Sequence, residues 1–224
     1  MKLLIQAVAA SLSGLVFFGV LLFWPAGTFN YWQAWVFIAV FFAMSFGPSV
    51  YWALRRPDVL RRRMHAGPLA ETRPVQKIAT YGVYVMVVAL LIVSAFDHRF
   101  GWSQVPTPIV VAGDVLVAVG LGLAMLVVSQ NSYAAATIRV EADQPVISTG
   151  LYGLVRHPMY TGALIMMVGM PLALDSYWGL IILVPGVAVL ALRIGDEEKM
   201  LRQELGGYDE YTQQVHYRLV PGVW

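Results

Sequence analysis

The sequence contains no cysteine. Disulfides, thiolate metal sites, thiol nucleophiles and cysteine lipidation are therefore excluded. Charge is also scarce. Only 12% of the 224 residues are Asp, Glu, Lys or Arg, 58% are hydrophobic, and the mean hydropathy is +0.66. Soluble domains carry about 25% charged and about 45–50% apolar residues. A soluble fold this poor in charge would leave too much apolar surface in water. Common soluble signatures are missing too. There is no G-x-G-x-x-G after a strand, no P-loop and no H-E-x-x-H. The four histidines, His65, His98, His157 and His216, are scattered, so no metal site is expected.

What the chain does have is long apolar runs. Residues 3–24, 31–54, 78–96 and 108–130 are each near the length of about 20 residues that a helix needs to cross a bilayer. Their one acid is Asp114, two turns into the fourth run. Runs 158–174 and 177–192 are shorter and separated only by Asp175 and Ser176. They cross a thin core or form a tight hairpin that dips in and returns, with kinks expected at Pro171 and at Pro185–Gly186. The first run is too long for a signal-peptide core and lacks a clean cleavage site, so it reads as an uncleaved helix. The expected fold is all-α: a polytopic helical membrane protein with about six transmembrane segments and a C-terminal amphipathic helix.

Orientation follows from the basic residues. Segment 55–77 holds seven Lys and Arg. With that segment in the cytoplasm and six crossings, fourteen of the fifteen Lys and Arg fall inside, Arg139 among them, and only Arg99 falls outside. The asymmetry predicts cytoplasmic termini. Trp24, Tyr31, Trp32, Trp102, Tyr177 and Trp178 then form the outer aromatic belt; Tyr51, Trp52 and Tyr81 form the inner one. The basic segment itself reads as a membrane anchor in contact with anionic lipids. No aromatics interleave its arginines, which argues against nucleic acid.

A transporter or proton pump should place ionisable groups at the midplane and often shows an inverted repeat. Neither is present. Polar residues gather instead at the cytoplasmic ends of the last runs, in 131–160 and 193–224. This suits an interfacial enzyme with a polar cofactor on the water side and a greasy substrate in the lipid. One cluster leads from Ser148 through Tyr152, Arg156 and His157 to Pro158, which suits the first turn of a helix. The other is Arg193, Asp196, Glu197 and Glu198, with Arg193 and Glu197 four apart on one helical face. A tight hairpin between the clusters must bring them together. Each also has a plainer reading: an arginine on lipid phosphate beside a capping histidine, and a surface ion pair. Gly120 and Gly122 read as a close helix-packing surface. Beyond the hairpin, Leu201, Leu205, Tyr208, Tyr211 and Val215 recur at helical spacing, interrupted by Gly206–Gly207, as one helix or two.

Taken together, R-H-P-M-Y-T-G from Arg156 to Gly162, the paired acids Glu197 and Glu198, Leu205-Gly-Gly-Tyr208-x-x-Tyr211 and Tyr217-Arg-Leu-Val-Pro221 resemble the isoprenylcysteine carboxyl methyltransferase family. That family and the related phospholipid methyltransferases are integral membrane enzymes that use S-adenosylmethionine. The resemblance covers residues 131–224, the expected methyltransferase core, and is unspecific over 1–130, the N-terminal transmembrane helices with their basic loop. It implies that Gln144, Val146, Ile147 and Tyr152 line the cofactor pocket, continued by His157, Pro158, Met159 and Tyr160. It places Glu197, with Glu198 beside it, on the cofactor, and Arg193 on the methyl acceptor. Asn131 matches the asparagine that ends the preceding helix. The stretch 132–143 matches poorly, and the spacer before Tyr208 is one residue short.

Methyl transfer needs the nucleophile held in line, near 3 Å, more than it needs acid or base help. An arginine can hold a carboxylate acceptor in a fork of hydrogen bonds. The implied acceptor is lipophilic: the carboxylate of an isoprenylcysteine-like or other isoprenoid lipid. A phospholipid amine or a small thiol is the alternative, and a membrane scaffold or carrier that kept the fold is the non-enzymatic one. The chain's compactness reads as prokaryotic.

Overall fold

The computed structural model describes residues 2–64, 67, 69–134, 140 and 144–224. His65, Arg139 and most of the poorly matching 132–143 stretch lie outside the described residues. Every regular element among the described residues is helical. Four long helices take up the first four apolar runs: α1 (Lys2–Ala26), α2 (Trp32–Arg55), α4 (Pro74–Phe100) and α5 (Thr107–Gln130). Between α2 and α4 the basic segment forms a short helix, α3 (Pro57–Met64), where a loop was expected. Its proline takes the first helical position, and Val59 and Leu60 are buried under a run of arginines.

The last two runs form the expected hairpin, with one correction. The first arm, α6 (Pro158–Ala173), is about 24 Å long at 1.5 Å per residue. The second arm is not short. It runs as α7 (Trp178–Ile181) and α8 (Leu183–Glu204), and together Trp178–Glu204 makes a fifth helix long and apolar enough to cross a membrane. An apolar run ends at its first charge, Arg193, but helical hydrogen bonding does not. The arm breaks once, at Ile182, whose N–H bonds the Gly179 carbonyl. Pro185 explains this: it offers no N–H to Ile181, and its ring crowds that carbonyl. Pro171 sits in the last turn of α6. Both arms return to one level, since Tyr160 packs against the cluster of Leu190, Ile194 and Leu219.

Helices α5 and α6 touch backbone to backbone at two points seven residues apart. A Cβ on Gly162 would lie 2.8 Å from the Gly120 carbonyl oxygen, and one on Gly169 would lie 2.6 Å from that of Gly113. Small residues let membrane helices approach in this way. Gly122 takes no part; a Cβ there meets only the Met44 methyl, at 3.8 Å. Gly120→Ala should therefore destabilise the protein by about 1–3 kcal/mol or more. Gly122→Ala should be nearly neutral. Thermal unfolding of both variants in detergent checks this, and equal midpoints would contradict the close contact.

At the end opposite the polar clusters, two acids tie the loops together. Asp97, fully buried, accepts from the Ser103 N–H (2.7 Å) and hydroxyl (2.6 Å) and from the Ser176 hydroxyl (2.7 Å). Asp175, in the left-handed region at φ 59°, accepts from Gln33 (3.0 Å) and the Val105 N–H (2.8 Å). These bonds fix the turn of the hairpin and so the placement of its open end.

Candidate functional site

The open end of the hairpin is built from five pieces of chain. Helix α5 stops at Asn131, and the Gln130 carboxamide oxygen accepts the Leu151 N–H at 3.0 Å. This seats a single 3₁₀ turn, Gly150–Gly153, with Gly150 at φ 62° pressed on the Gln130 side chain. At that φ a residue without a Cβ is favoured. The turn presents Tyr152, whose hydroxyl accepts from Asn131 Nδ2 at 3.1 Å. Pro158 then starts α6, as its sequence position predicts. The C-terminal tail straps the approach: the N–H groups of Arg156 and His157 donate to the carbonyls of Tyr217 and Arg218, each at 2.9 Å.

Helix α8 supplies the charges. Asp196, Glu197 and Glu198 are consecutive, and a helix turns about 100° per residue, so the three carboxylates point three ways. Asp196 takes a two-pronged contact from Arg73 (2.8 and 2.7 Å) and one from Gln76 (2.7 Å), tying α8 to the start of α4. Glu198 is buried and accepts from Arg156 (2.8 Å) and twice from Arg218 (3.0 and 2.9 Å), with His157 Nε2 at 3.2 Å. Glu197 alone faces the cavity between the arms. Its Oε2 accepts from the Tyr160 hydroxyl at 2.8 Å, and that hydroxyl accepts from Arg193 Nε at 2.9 Å.

Arg193 and Glu197 thus meet through Tyr160. Arg193 also donates to the Thr80 hydroxyl and, at 2.9 Å, to Glu71. Glu71 is 3% exposed and comes from the basic segment. A buried arginine requires such a counter-charge. Nothing in the sequence singled out Glu71 or Thr80, because the contact links segments far apart in the chain.

The cavity is lined by Asn131, Gln144, Val146, Ile147 and Tyr152 on one side and by His157, Pro158, Met159, Tyr160, Arg193 and Glu197 on the other. Glu198 is the one residue of the expected set that does not line it; it holds Arg156, before α6, and Arg218 of the tail. The wall also includes Leu201, Leu205, Tyr208 and Tyr211, which in the sequence read as part of an amphipathic stretch and not as pocket residues. α8 ends at Glu204 and, after Gly207 at φ 83°, a separate helix α9 (Tyr208–Gln214) begins, so the amphipathic stretch is two helices. Leu205, Tyr208, Tyr211 and Val215 cluster with Leu201 and Val146 to close the cavity's outer side. Burial, with Glu197 and Glu198 nearby, pushes the Tyr208 phenol well above its usual range, and burial does the same for Tyr211. Both stay protonated donors. Tyr211 spends its proton on the Tyr152 carbonyl at 2.7 Å. The Tyr208 hydroxyl is buried with no partner among the described residues, so a donor remains at the wall for a ligand.

Because Glu198 pairs with the buried Arg156, and with the half-buried Arg218 beside it, Glu198→Gln should cost about 3–5 kcal/mol, the usual cost of breaking a buried pair from one side. Thermal unfolding in detergent measures it. A midpoint equal to wild type would show that the tail is held by other means.

Residues 108–207, which carry most of this site, match the phospholipid methyltransferase family. Two probable protein-S-isoprenylcysteine O-methyltransferases, from Oryza sativa subsp. indica and subsp. japonica, are each 27% identical over 82% of this chain and 94% of their own length. A Delta(14)-sterol reductase of Mus musculus is 31% identical over 39% of this chain, and there the match spans only 22% of the reductase.

Proposed function

We propose, on the similarity to the phospholipid methyltransferase family and to the isoprenylcysteine O-methyltransferases, that this chain is an integral-membrane methyltransferase that moves a methyl group from S-adenosylmethionine to a lipophilic carboxylate. The observation that carries this reading is the Arg193–Tyr160–Glu197 relay at the wall of a cavity between the short arm α6 and the long arm that ends in α8, the second of which is long and apolar enough to cross a membrane.

The residues fit the donor. S-adenosylmethionine supplies an electrophilic methyl on a positive sulfur. Glu197 is an acceptor for its ribose hydroxyls or its ammonium, and the partnerless Tyr208 hydroxyl is a donor. Val146, Ile147, Leu201 and Leu205 give an apolar wall for a flat ring. Arg193 sits one helical turn before Glu197, on the membrane side, where it would orient an anionic acceptor. Held by Glu71, Thr80 and Tyr160, its guanidinium has a fixed plane. Orientation is what a direct displacement needs. With a carboxylate acceptor the new C–O bond forms as the C–S bond breaks, its electrons stay on sulfur, and no proton has to move. An amine or thiol acceptor must also lose a proton.

The relatives named for isoprenylcysteine and for a sterol both point to a greasy substrate. We place the site and both termini on the cytoplasmic side, on the support of the basic asymmetry. Detergent-purified protein should move tritium from methyl-labelled S-adenosylmethionine into the organic phase of a prenylcysteine or lipid extract. Mild alkali should release that label as methanol, because it is held in an ester. Alkali-stable label would overturn the carboxylate acceptor in favour of an amine or thiol; no transfer to any lipid would overturn the reading as a whole.

A further inference from the structure

A second cavity, of about 460 Å³, lies away from the methyl-transfer site, between α1, α2, α3 and α5. Its α2 wall runs from Ile38 to Trp52, about 21 Å at 1.5 Å per residue, more than the roughly 15 Å of one leaflet's hydrocarbon. Ala7, Ala10, Ser11 and Gly14 leave room along α1, and Phe18 and Phe41 close the deep end. The wall is mostly apolar, with three serines, Ser11, Ser45 and Ser49; the Ser11 and Ser49 hydroxyls are spent on carbonyls of their own helices, at 2.9 and 2.7 Å. The packed cluster of Trp52, Leu60 and Val128, with Met125 and Met159 against it, stands between this slot and the first cavity.

One end of the slot is charged. Arg63 lines it from α3, with its guanidinium 5.8 Å from the centre of the Trp52 ring. Its Nη1 is buried and has no hydrogen-bond partner among the described residues. A buried cationic donor without an acceptor is costly, and an anion removes the cost. An apolar slot one leaflet deep, ending in an unmatched arginine at the interface, has the shape and charge of a single acyl chain with an acidic head.

We propose that this slot holds one anionic phospholipid of the leaflet facing α3, with an acyl chain between α1 and α2 and its phosphate on Arg63. The lipid is a resident ligand, distinct from the methyl acceptor. The assignment rests on the membrane reading but not on the methyl-transfer chemistry. Two variants test the two ends. Arg63→Gln removes the charge. Gly14→Phe fills the slot, and a Cβ at Gly14 meets nothing within 4 Å, so the helix accepts it.

The measurement is native mass spectrometry of detergent-purified protein titrated with phosphatidylglycerol or phosphatidylcholine. Wild type should hold one phosphatidylglycerol, at least about tenfold tighter than phosphatidylcholine, because the choline ammonium offsets the phosphate charge that Arg63 meets and repels the guanidinium. Arg63→Gln should erase the preference, Arg63→Lys should keep part of it, and Gly14→Phe should lose both lipids. S-adenosylhomocysteine affinity should stay at wild-type level in all three, which separates this test from that of the proposed function. Equal binding of the two lipids by wild type would overturn the proposal, as would full phosphatidylglycerol binding by Gly14→Phe. Loss of methyl transfer in Gly14→Phe with lipid binding intact would also overturn it, by giving the slot to the acceptor.

Discussion

Glu197→Gln should lose S-adenosylhomocysteine binding by about a hundredfold or more, while the protein stays folded. Glu197 is the one carboxylate of three that faces the cavity. Two charge-assisted hydrogen bonds to a ligand are worth about 1.5–3 kcal/mol each, and every 1.4 kcal/mol is about tenfold in affinity. The fold should barely notice. The Glu197 side chain is 20% exposed, and a glutamine carbonyl still accepts from Tyr160. The neighbouring Glu198→Gln should behave in the opposite way, losing thermal stability more than any direct ligand contact. Swapped phenotypes would mean that the two carboxylates have exchanged tasks.

Arg193→Lys is the second large effect. Lysine keeps the charge but not the planar fork. Arg193 sends donors in three directions, to Tyr160, Thr80 and Glu71, and one ammonium on a flexible stem cannot hold all three and a substrate in register. The variant should bind S-adenosylhomocysteine near the wild-type level and lose about 10–150-fold in kcat/KM toward a carboxylate lipid, the equivalent of one charge-assisted interaction. The cationic donor gains nothing from a nearby guanidinium, so its affinity should not move. If Arg193 served only to neutralise Glu71, lysine would restore turnover, and near-normal kcat/KM would rule out the positioning role. Thermal unfolding of the same sample shows whether any loss belongs to the fold.

How far the sequence carries can be read from α8. The apolar count found its membrane part but stopped at Arg193, because composition ends at a charge and a helix does not. The sequence did bring Arg193, Glu197 and the His157 turn to one level, since a tight hairpin leaves no other arrangement. It could not divide the labour among Asp196, Glu197 and Glu198. Only the 100° step between neighbours, set against what surrounds α8, sends one to Arg73, one to the cavity and one to Arg156 and Arg218. Glu71 was hidden for a related reason. It lies in a stretch read for its arginines, and its partner is on a helix far along the chain. Tyr208 was visible as part of a motif, yet its partnerless hydroxyl is a fact of packing that no spacing records. The glycine contacts of α5 divide similarly: Gly120 meets α6, whereas Gly122, two residues on, faces elsewhere.

The central claim is that the cavity between the hairpin arms holds the methyl donor. Isothermal titration of the detergent-purified wild-type protein with S-adenosylhomocysteine tests it most directly, because it requires no knowledge of the acceptor. The account predicts saturable binding at one site per chain, absent in Glu197→Gln and retained in Arg193→Lys. A folded wild-type protein that gives no binding heat at any temperature tried, and no shift in its unfolding midpoint with the ligand, would contradict it.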